Sequence, residues 1–294
     1  DQGRPSLTGP AGVPGPAGAA LRRTFFRLRS IFPARPAPRG DTLLRMRLAA
    51  WPVTDVGRVR THNEDSYLVD DEIGLYLVAD GMGGHAGGAH ASQTCVSVVR
   101  QVVSRGLSGV RSLSGDQVSA AITELLGAAA SEASARIFDH AQAEPALHGM
   151  GTTLTGVLFY QDRAYVVHVG DSRCYLFRQG SARQLTNDHS WLNEQIQAGL
   201  LTEEEAAASD LKHIITRSVG FEREVQADLI ATALMPGDAF LLCSDGMCNY
   251  IELDELEELA RTHYYSDLPQ ICTQLSLDRG GEDNITVVVI LVAN

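Results

Sequence analysis

Four aspartates stand where apolar runs end. Asp80 follows the run Leu75–Ala79, and Asp171 follows residues 164–169 after one glycine. Asp245 follows residues 239–244, and Asp283 precedes a β-branched run that reaches Val292. Glu64 and Asp65 form a fifth acidic point beside another strand. A single aspartate in such a place is usually a turn former. Four of them, on strands of similar length, can meet at one end of a sheet. Buried together they repel and hold protons unless cations sit among them. No Cys or His cluster accompanies them, so the donors are all oxygen, which selects Mg²⁺ or Mn²⁺ over zinc. The glycine-rich turn after Asp80 leaves the Gly81 carbonyl open as a further ligand. Arg60 lies five residues before Asp65. A guanidinium beside such a cluster suits a phosphate, which it grips through two parallel hydrogen bonds. Two metals and an arginine make a hydrolysis site for phosphate esters, with water as the nucleophile.

Other phosphate chemistries fit the residues less well. Residues 81–88 hold five glycines and could cradle a phosphate, but they lack a Gly-Lys-Ser/Thr ending. Cys95 and Arg100 are one residue short of a Cys-x5-Arg nucleophile motif, and no Asp-x-Asp-x-Thr is present. Gly170-Asp-Ser-Arg173 is superficially like the Gly-Asp-x-His of calcineurin-like phosphatases, but its histidine is missing.

These acids need strands to deliver them. Residues 53–60 read as a strand leading to Glu64, and residues 67–69 and 75–79 as a hairpin across the turn 70–74. Two amphipathic helices follow, near 88–106 and 117–142. Residues 152–160 and 164–169 form a second hairpin, and 173–177 with 181–185 a third. Residues 187–213 are helical and polar, with a capping box from Thr202 to Glu205, and read as a surface flap. After the strand before Asp245 come helices near 253–262 and 268–277, the second with Asp267 as N-cap and Gly280 at its close. A final strand follows Asp283. Strands and helices fall in separate runs, which argues for antiparallel sheets with helices outside them over a doubly wound parallel sheet.

Composition bounds the rest. The chain has 294 residues and a net charge of −12. Residues 1–48 hold nine Arg against two Asp, so the remainder carries 15 basic against 34 acidic side chains. An acidic body argues against a nucleic-acid groove. No apolar run is long enough to span a membrane, and no signal peptide is legible. Five cysteines without CxxC spacing read as reduced, buried thiols in a cytoplasmic protein. Residues 1–45, rich in Pro, Gly and Arg, read as a disordered tail before a single catalytic domain, 46–294. Within the tail, residues 21–32 mix Phe and Arg. A membrane or partner patch, an unstructured tail and an upstream extension ahead of Met46 all remain open.

Seven segments together resemble the metal-dependent protein phosphatases of the phosphatase 2C type, in their bacterial form. They are Arg60-Thr-His-Asn-Glu-Asp65, Val78-Ala-Asp-Gly-Met-Gly-Gly84, Gly151-Thr-Thr-Leu154, His168-Val-Gly-Asp-Ser-Arg173, Leu185-Thr-Asn-Asp-His-Ser190, Leu242-Cys-Ser-Asp-Gly246 and Asp283-Asn-Ile-Thr286. They occur in the family's order across most of the chain. The resemblance implies an α+β fold, an α-β-β-α sandwich of two antiparallel sheets flanked by helices, with a helical flap at about 189–213. It implies two Mn²⁺ or Mg²⁺ ions bridged by Asp80, one of them also on the Gly81 carbonyl. Asp245 and Asp283 would be direct ligands, and Glu64 and Asp65 would act mainly through water. Asp171 would join Asp245 on a third, weaker ion. Arg60 would bind phosphate, and His213 would contact substrate. The implied activity is Ser/Thr phosphoprotein hydrolysis by direct attack of a bridging, metal-activated water.

One departure from the family matters. Eukaryotic members often carry a proton-donating His directly after Asp-Gly, where this chain has Met82. His62 and His213 are then the candidates to protonate the leaving group. The expected partners are phosphorylated Ser/Thr proteins and a cognate Ser/Thr kinase, with the phosphatase monomeric. The alternatives are a phosphatase dedicated to one regulatory phosphoprotein, and a pseudoenzyme that binds phosphoproteins without hydrolysis. None of the expected ligands is lost.

Overall fold

The long apolar runs are strands covered on both faces. The computed structural model describes residues 47–83, 87–207, 209, 211 and 214–293. The tail, His85 and His213 lie outside the described residues.

The chain begins with β1 (Arg47–Asp55), β2 (Ser66–Asp70), β3 (Leu75–Ala79) and the short β4 (Gly81–Met82), then helices α1 (Gly87–Val110) and α2 (Asp116–Ala143). Strands β5 (Gly151–Thr152), β6 (Leu154–Tyr160), β7 (Arg163–Val169), β8 (Arg173–Arg178) and β9 (Ser181–Gln184) follow, then α3 (Trp191–Gln197) and α4 (Glu203–Ala207). The last part is β10 (Asp228–Ala233), β11 (Ala239–Cys243), α5 (Asp245–Cys248), α6 (Leu253–Thr262), α7 (Leu268–Asp278) and β12 (Ile285–Ala293). Two five-stranded antiparallel sheets result, ordered β1-β12-β11-β8-β9 and β10-β7-β6-β3-β2.

Side-chain alternation divides each strand between two cores. In β3, Leu75, Leu77 and Ala79 pack under α1 and α2, while Tyr76 and Val78 face the other sheet. In β11, Leu241 and Cys243 join the core beneath α6 and α7, with Phe240 and Leu242 between the sheets. Tyr76, Phe159 and Phe240 form an edge-to-face chain across that interface, with ring centroids 5.7 and 5.1 Å apart. Each such contact adds about 0.5–1.5 kcal/mol beyond its buried area. The four layers are helix, sheet, sheet, helix, as expected, and the five cysteines are buried and free.

Two expectations change, and one strand is new. The first strand runs from Arg47 to Asp55, not to Arg60. It ends where Asp55 Oδ1 accepts the Gly57 N–H at 2.8 Å in a turn with φ of +81° at the glycine. Strand β10, unforeseen, lies at a sheet edge beside β7. Asp267 occupies the N-cap position of α7 without capping it. Its φ and ψ of −95° and −21° are helical, not extended, and its Oδ1 accepts the Ser266 hydroxyl instead. The Thr202–Glu205 box does form, in α4. The Thr202 N–H donates to Glu205 Oε2 at 2.8 Å, and the Glu205 N–H to Thr202 Oγ1 at 3.2 Å.

Candidate metal centre

Strand register brings the acids to one end of the sandwich. Ser66 lies opposite Ala79, which sets Asp65 beside Asp80. Cys243 lies opposite both Val287 and Arg173, so Asp245, Asp283 and Asp171 leave the other sheet at the same edge. A cleft of about 490 Å³ opens there, lined by Arg60, His62, Glu64, Asp80, Gly81, Asp171, Asp245 and Asp283, with Met82 and Ile215 on its wall. Asp65 is not among the lining residues. It is held from within the fold, where the Ser244 hydroxyl donates to its Oδ2 at 2.8 Å.

Backbone clamps set these carboxylates. The Asp80 N–H donates to Thr153 Oγ1 at 2.9 Å, and the Asp80 carbonyl accepts the Thr152 hydroxyl at 2.8 Å and the Thr153 N–H at 2.9 Å. Asn284 pins the loop that carries Arg60, His62 and Glu64. Its Oδ1 accepts the Glu64 N–H at 2.7 Å, and its amide donates to the Val56 and His62 carbonyls at 2.9 and 3.0 Å. The Ser92 hydroxyl donates to the Glu64 carbonyl at 2.6 Å. Sequence reasoning missed these residues as positioning groups. Thr152, Thr153, Ser244 and Asn284 sit inside the matching segments. Ser92 gave no signal within its amphipathic helix.

The electrostatics of this end are under-compensated. Burial pushes Asp65 up to about 7, an effect that the hydroxyls of Thr286 and Ser244 reduce and that Asp245 and Asp283 reinforce. Burial and then Asp245 push Asp171 up to about 8. Asp80 is held well above the usual carboxylate range, by burial first and then by Asp65, Asp245, Asp171 and Asp283. Among the described residues, Arg60 is the one Arg or Lys lining the cleft. Its Nη2 lies 2.7 Å from Asp283 Oδ2.

No group of three or more His, Cys, Asp or Glu among the described residues forms a ready-made ion cage. Unscreened carboxylates repel, and Asp283 is drawn to Arg60. The chemistry nevertheless fits hard cations. Asp65 Oδ1 and Asp171 Oδ1 are buried oxygens with no hydrogen-bond partner among the described residues, a costly state that a cation relieves. The donors are all oxygen. The glycines shape the cradle: a Cβ on Gly81 would lie 2.2 Å from the Gly88 carbonyl oxygen, and one on Gly88 2.5 Å from Glu64 Oε2.

Behind Asp171 the polar groups are fully paired. The Gly170 N–H donates to His189 Nδ1 at 3.0 Å, and the His168 Nε2 to the Asn187 carbonyl at 3.0 Å. His168 Nδ1 bonds the Thr155 hydroxyl at 2.9 Å. Burial lowers the His168 pKa to about 3, so the ring is neutral. Arg173 grips Asp188 with Nε and Nη2, at 3.0 and 2.7 Å, and anchors the base of the flap.

His62 stands exposed on the cleft, its Nδ1 bonded to Thr61 Oγ1 at 2.9 Å. Its Nε2 has no hydrogen-bond partner among the described residues. The expectation for His213 falls outside them.

This sandwich, with an all-oxygen carboxylate cluster and one arginine in its cleft, defines a metal-dependent phosphatase. The family model for Protein phosphatase 2C matches residues 57–276, and the chain belongs to that family. The serine/threonine phosphatase stp of Listeria innocua is 34% identical over 241 residues, 81% of this chain and 93% of that protein. The crystal structure of the Mycobacterium tuberculosis serine/threonine phosphatase PstP/Ppp superposes with a TM-score of 0.75 at 34% identity, covering 84% of this chain and 99% of that one. The catalytic domain of PstP in complex with two manganese ions superposes at 0.70 with 33% identity, covering 84% and 99%.

Proposed function

We propose that this chain removes phosphate from phosphoserine and phosphothreonine in proteins, using two Mn²⁺ or Mg²⁺ ions and a third, weaker one. One observation carries the reading. Carboxylates from both sheets converge on one end of the sandwich, where Asp171 Oδ1 on the cleft and Asp65 Oδ1 within the fold beside it are buried without a hydrogen-bond partner among the described residues. Asp80, Asp245 and Asp283, with the Gly81 carbonyl, would hold the principal ions. Glu64 and Asp65 would support them, and Asp171 with Asp245 would hold the third. Bound ions lower the pKa of water and neutralise charge on the phosphate. Arg60, at the cleft mouth, orients the phosphate through its forked N–H groups, leaving Asp283 to do so. Met82 cannot donate a proton, whereas His62 lines the cleft with an Nε2 that has no hydrogen-bond partner among the described residues, and would protonate the departing alkoxide.

The catalytic unit is 46–294, working as a cytoplasmic monomer opposite a cognate Ser/Thr kinase. Among the described residues no helix is long and apolar enough to cross a membrane. Purified protein with Mn²⁺ should hydrolyse p-nitrophenyl phosphate, stop with EDTA, and keep its rate when residues 1–45 are removed. Metal-loaded protein that binds phosphopeptide but releases no phosphate would leave only a binding role.

A further inference from the structure

A second depression adjoins the metal cleft. It encloses about 1150 Å³ and shares Met82 and Ile215 with the cleft, so the two are continuous. We propose that this groove receives the substrate segment next to the phosphorylated residue, and that it selects a segment carrying Arg or Lys beside an apolar side chain. The proposal rests on the phosphatase reading and narrows its substrate class.

The wall is apolar and acidic. Phe221 is 66% exposed and Ile214 45% exposed, both on the groove. Large apolar side chains left in water beside a reaction site mark a binding surface. Glu222 and Glu224 line the same wall, and neither forms an ion pair among the described residues. Arg217 also lines the groove and Arg223 lies beside Glu224, but both guanidiniums pair with aspartates outside it. Arg217 Nη1 donates to Asp228 Oδ1 at 2.9 Å and to the Gln226 carbonyl at 3.1 Å. Arg223 turns to Asp139, with Nε 3.1 Å from Oδ1. The groove therefore offers two exposed carboxylates that form no ion pair among the described residues, and an aromatic face, the complement of a basic and apolar peptide.

The wall is also held in a fixed frame. Thr152 and Val219 exchange backbone hydrogen bonds of 2.9 and 2.8 Å. The Ser134 hydroxyl accepts the Gly220 N–H at 2.9 Å and donates to the Glu222 carbonyl at 2.7 Å. Thr152 is the residue whose hydroxyl also holds the Asp80 carbonyl. One residue thus ties the groove, through its backbone, to Asp80, through its hydroxyl, so a peptide seated in the groove would place its phosphate in constant register with the cleft. A preformed wall loses little ordering entropy on binding.

The test uses the Mn²⁺-loaded full chain with p-nitrophenyl phosphate and with phosphothreonine peptides in which Arg, Glu or Ala is moved through each flanking position. The proposal expects kcat/KM about tenfold higher for Arg than for Glu at one or two positions, falling as salt is raised. The double variant Glu222→Gln, Glu224→Gln should reduce that preference to about twofold or less. Phe221→Ser should lower peptide kcat/KM about tenfold. These exposed variants should melt with the parent and turn over p-nitrophenyl phosphate unchanged. Equal rates for Arg and Glu peptides, or a preference untouched by the Glu222/Glu224 pair, overturns the groove proposal while the phosphatase reading stands. Loss of p-nitrophenyl phosphate turnover in the parent overturns the phosphatase reading itself.

Discussion

Two buried polar clusters lie back to back in this protein, and they are built on opposite terms. At the sandwich end, Asp65, Asp80, Asp171, Asp245 and Asp283 crowd together, with Arg60 at the mouth. Just behind, His168, His189, Arg173 and Asp188 are neutral or paired, and both ring nitrogens of His168 are bonded. Both sets sit at strand ends in motif-rich segments, so sequence alone gives them equal standing. Compensation separates them. A cluster that the fold satisfies by itself is architecture, whereas one left short of positive charge waits for something from outside.

Substitution should separate them most sharply. Asp80→Ala should lower p-nitrophenyl phosphate turnover by ~10³-fold or more, since it removes the proposed bridge between the ions. In EDTA the same variant should melt no lower than the parent, because a buried carboxylate among like charges opposes folding. His168→Ala should do the reverse. It leaves the Asn187 carbonyl without its donor and opens a cavity, at about 2–4 kcal/mol. That lowers the melting temperature by about 5–10 °C while the folded fraction keeps its rate within about tenfold. A His168→Ala protein that melts normally but has lost turnover would break the contrast.

The pH response should differ in sign. Asp65 and Asp171 rise from an ordinary 3.8 to about 7 and about 8 in the folded chain. The folded state therefore binds more protons between those limits, and the stability of metal-free protein falls as pH rises from about 4 to about 8. His168 drops from 6.5 to about 3, so the unfolded state binds more protons there, and stability is lost as pH falls below about 6.5. Above pH 6.5 only the carboxylate slope remains. Melting in EDTA between pH 6.5 and 8 should show stability declining with pH, and saturating Mn²⁺ should flatten that decline. A Mn²⁺-independent slope would mean that the cations do not sit among these acids.

Much of this was legible beforehand, for physical reasons. Strands buried on both faces read as uninterrupted apolar runs, and an acid closing such a run is conspicuous. Asp80, Asp171, Asp245 and Asp283 are thus conspicuous in the sequence itself, as are the two long amphipathic helices and the α4 capping box. What stayed hidden depends on partners far away in sequence. Asn284 holds a loop some 220 residues distant, and nothing in the run after Asp283 marks its amide as the anchor. Thr152 and Thr153 look like ordinary strand residues until they meet the Asp80 backbone. The pairing of Arg60 with Asp283 was likewise invisible, since it needs the two ends of the domain side by side. Strand β10 escaped notice because its six residues sit at an edge, where half-burial weakens the alternation.

The loop before Glu64 offers the finest contrast, because it carries two arginines in the same kind of exposed ion pair. Arg58 Nη2 lies 3.1 Å from Asp278, and Arg60 Nη2 lies 2.7 Å from Asp283. Both guanidiniums are about half exposed, so neither pair should contribute more than about 1 kcal/mol to stability. Their consequences for catalysis should still diverge, since only Arg60 lines the cleft. Arg60→Ala should raise KM for p-nitrophenyl phosphate about tenfold with a smaller change in kcat, the pattern of lost ground-state binding. Arg58→Ala should leave both constants within about twofold and the melting temperature within about 2 °C. If Arg58→Ala raised KM as much as Arg60→Ala, the arginines would act by holding the loop, and the phosphate-orienting role given to Arg60 would fall.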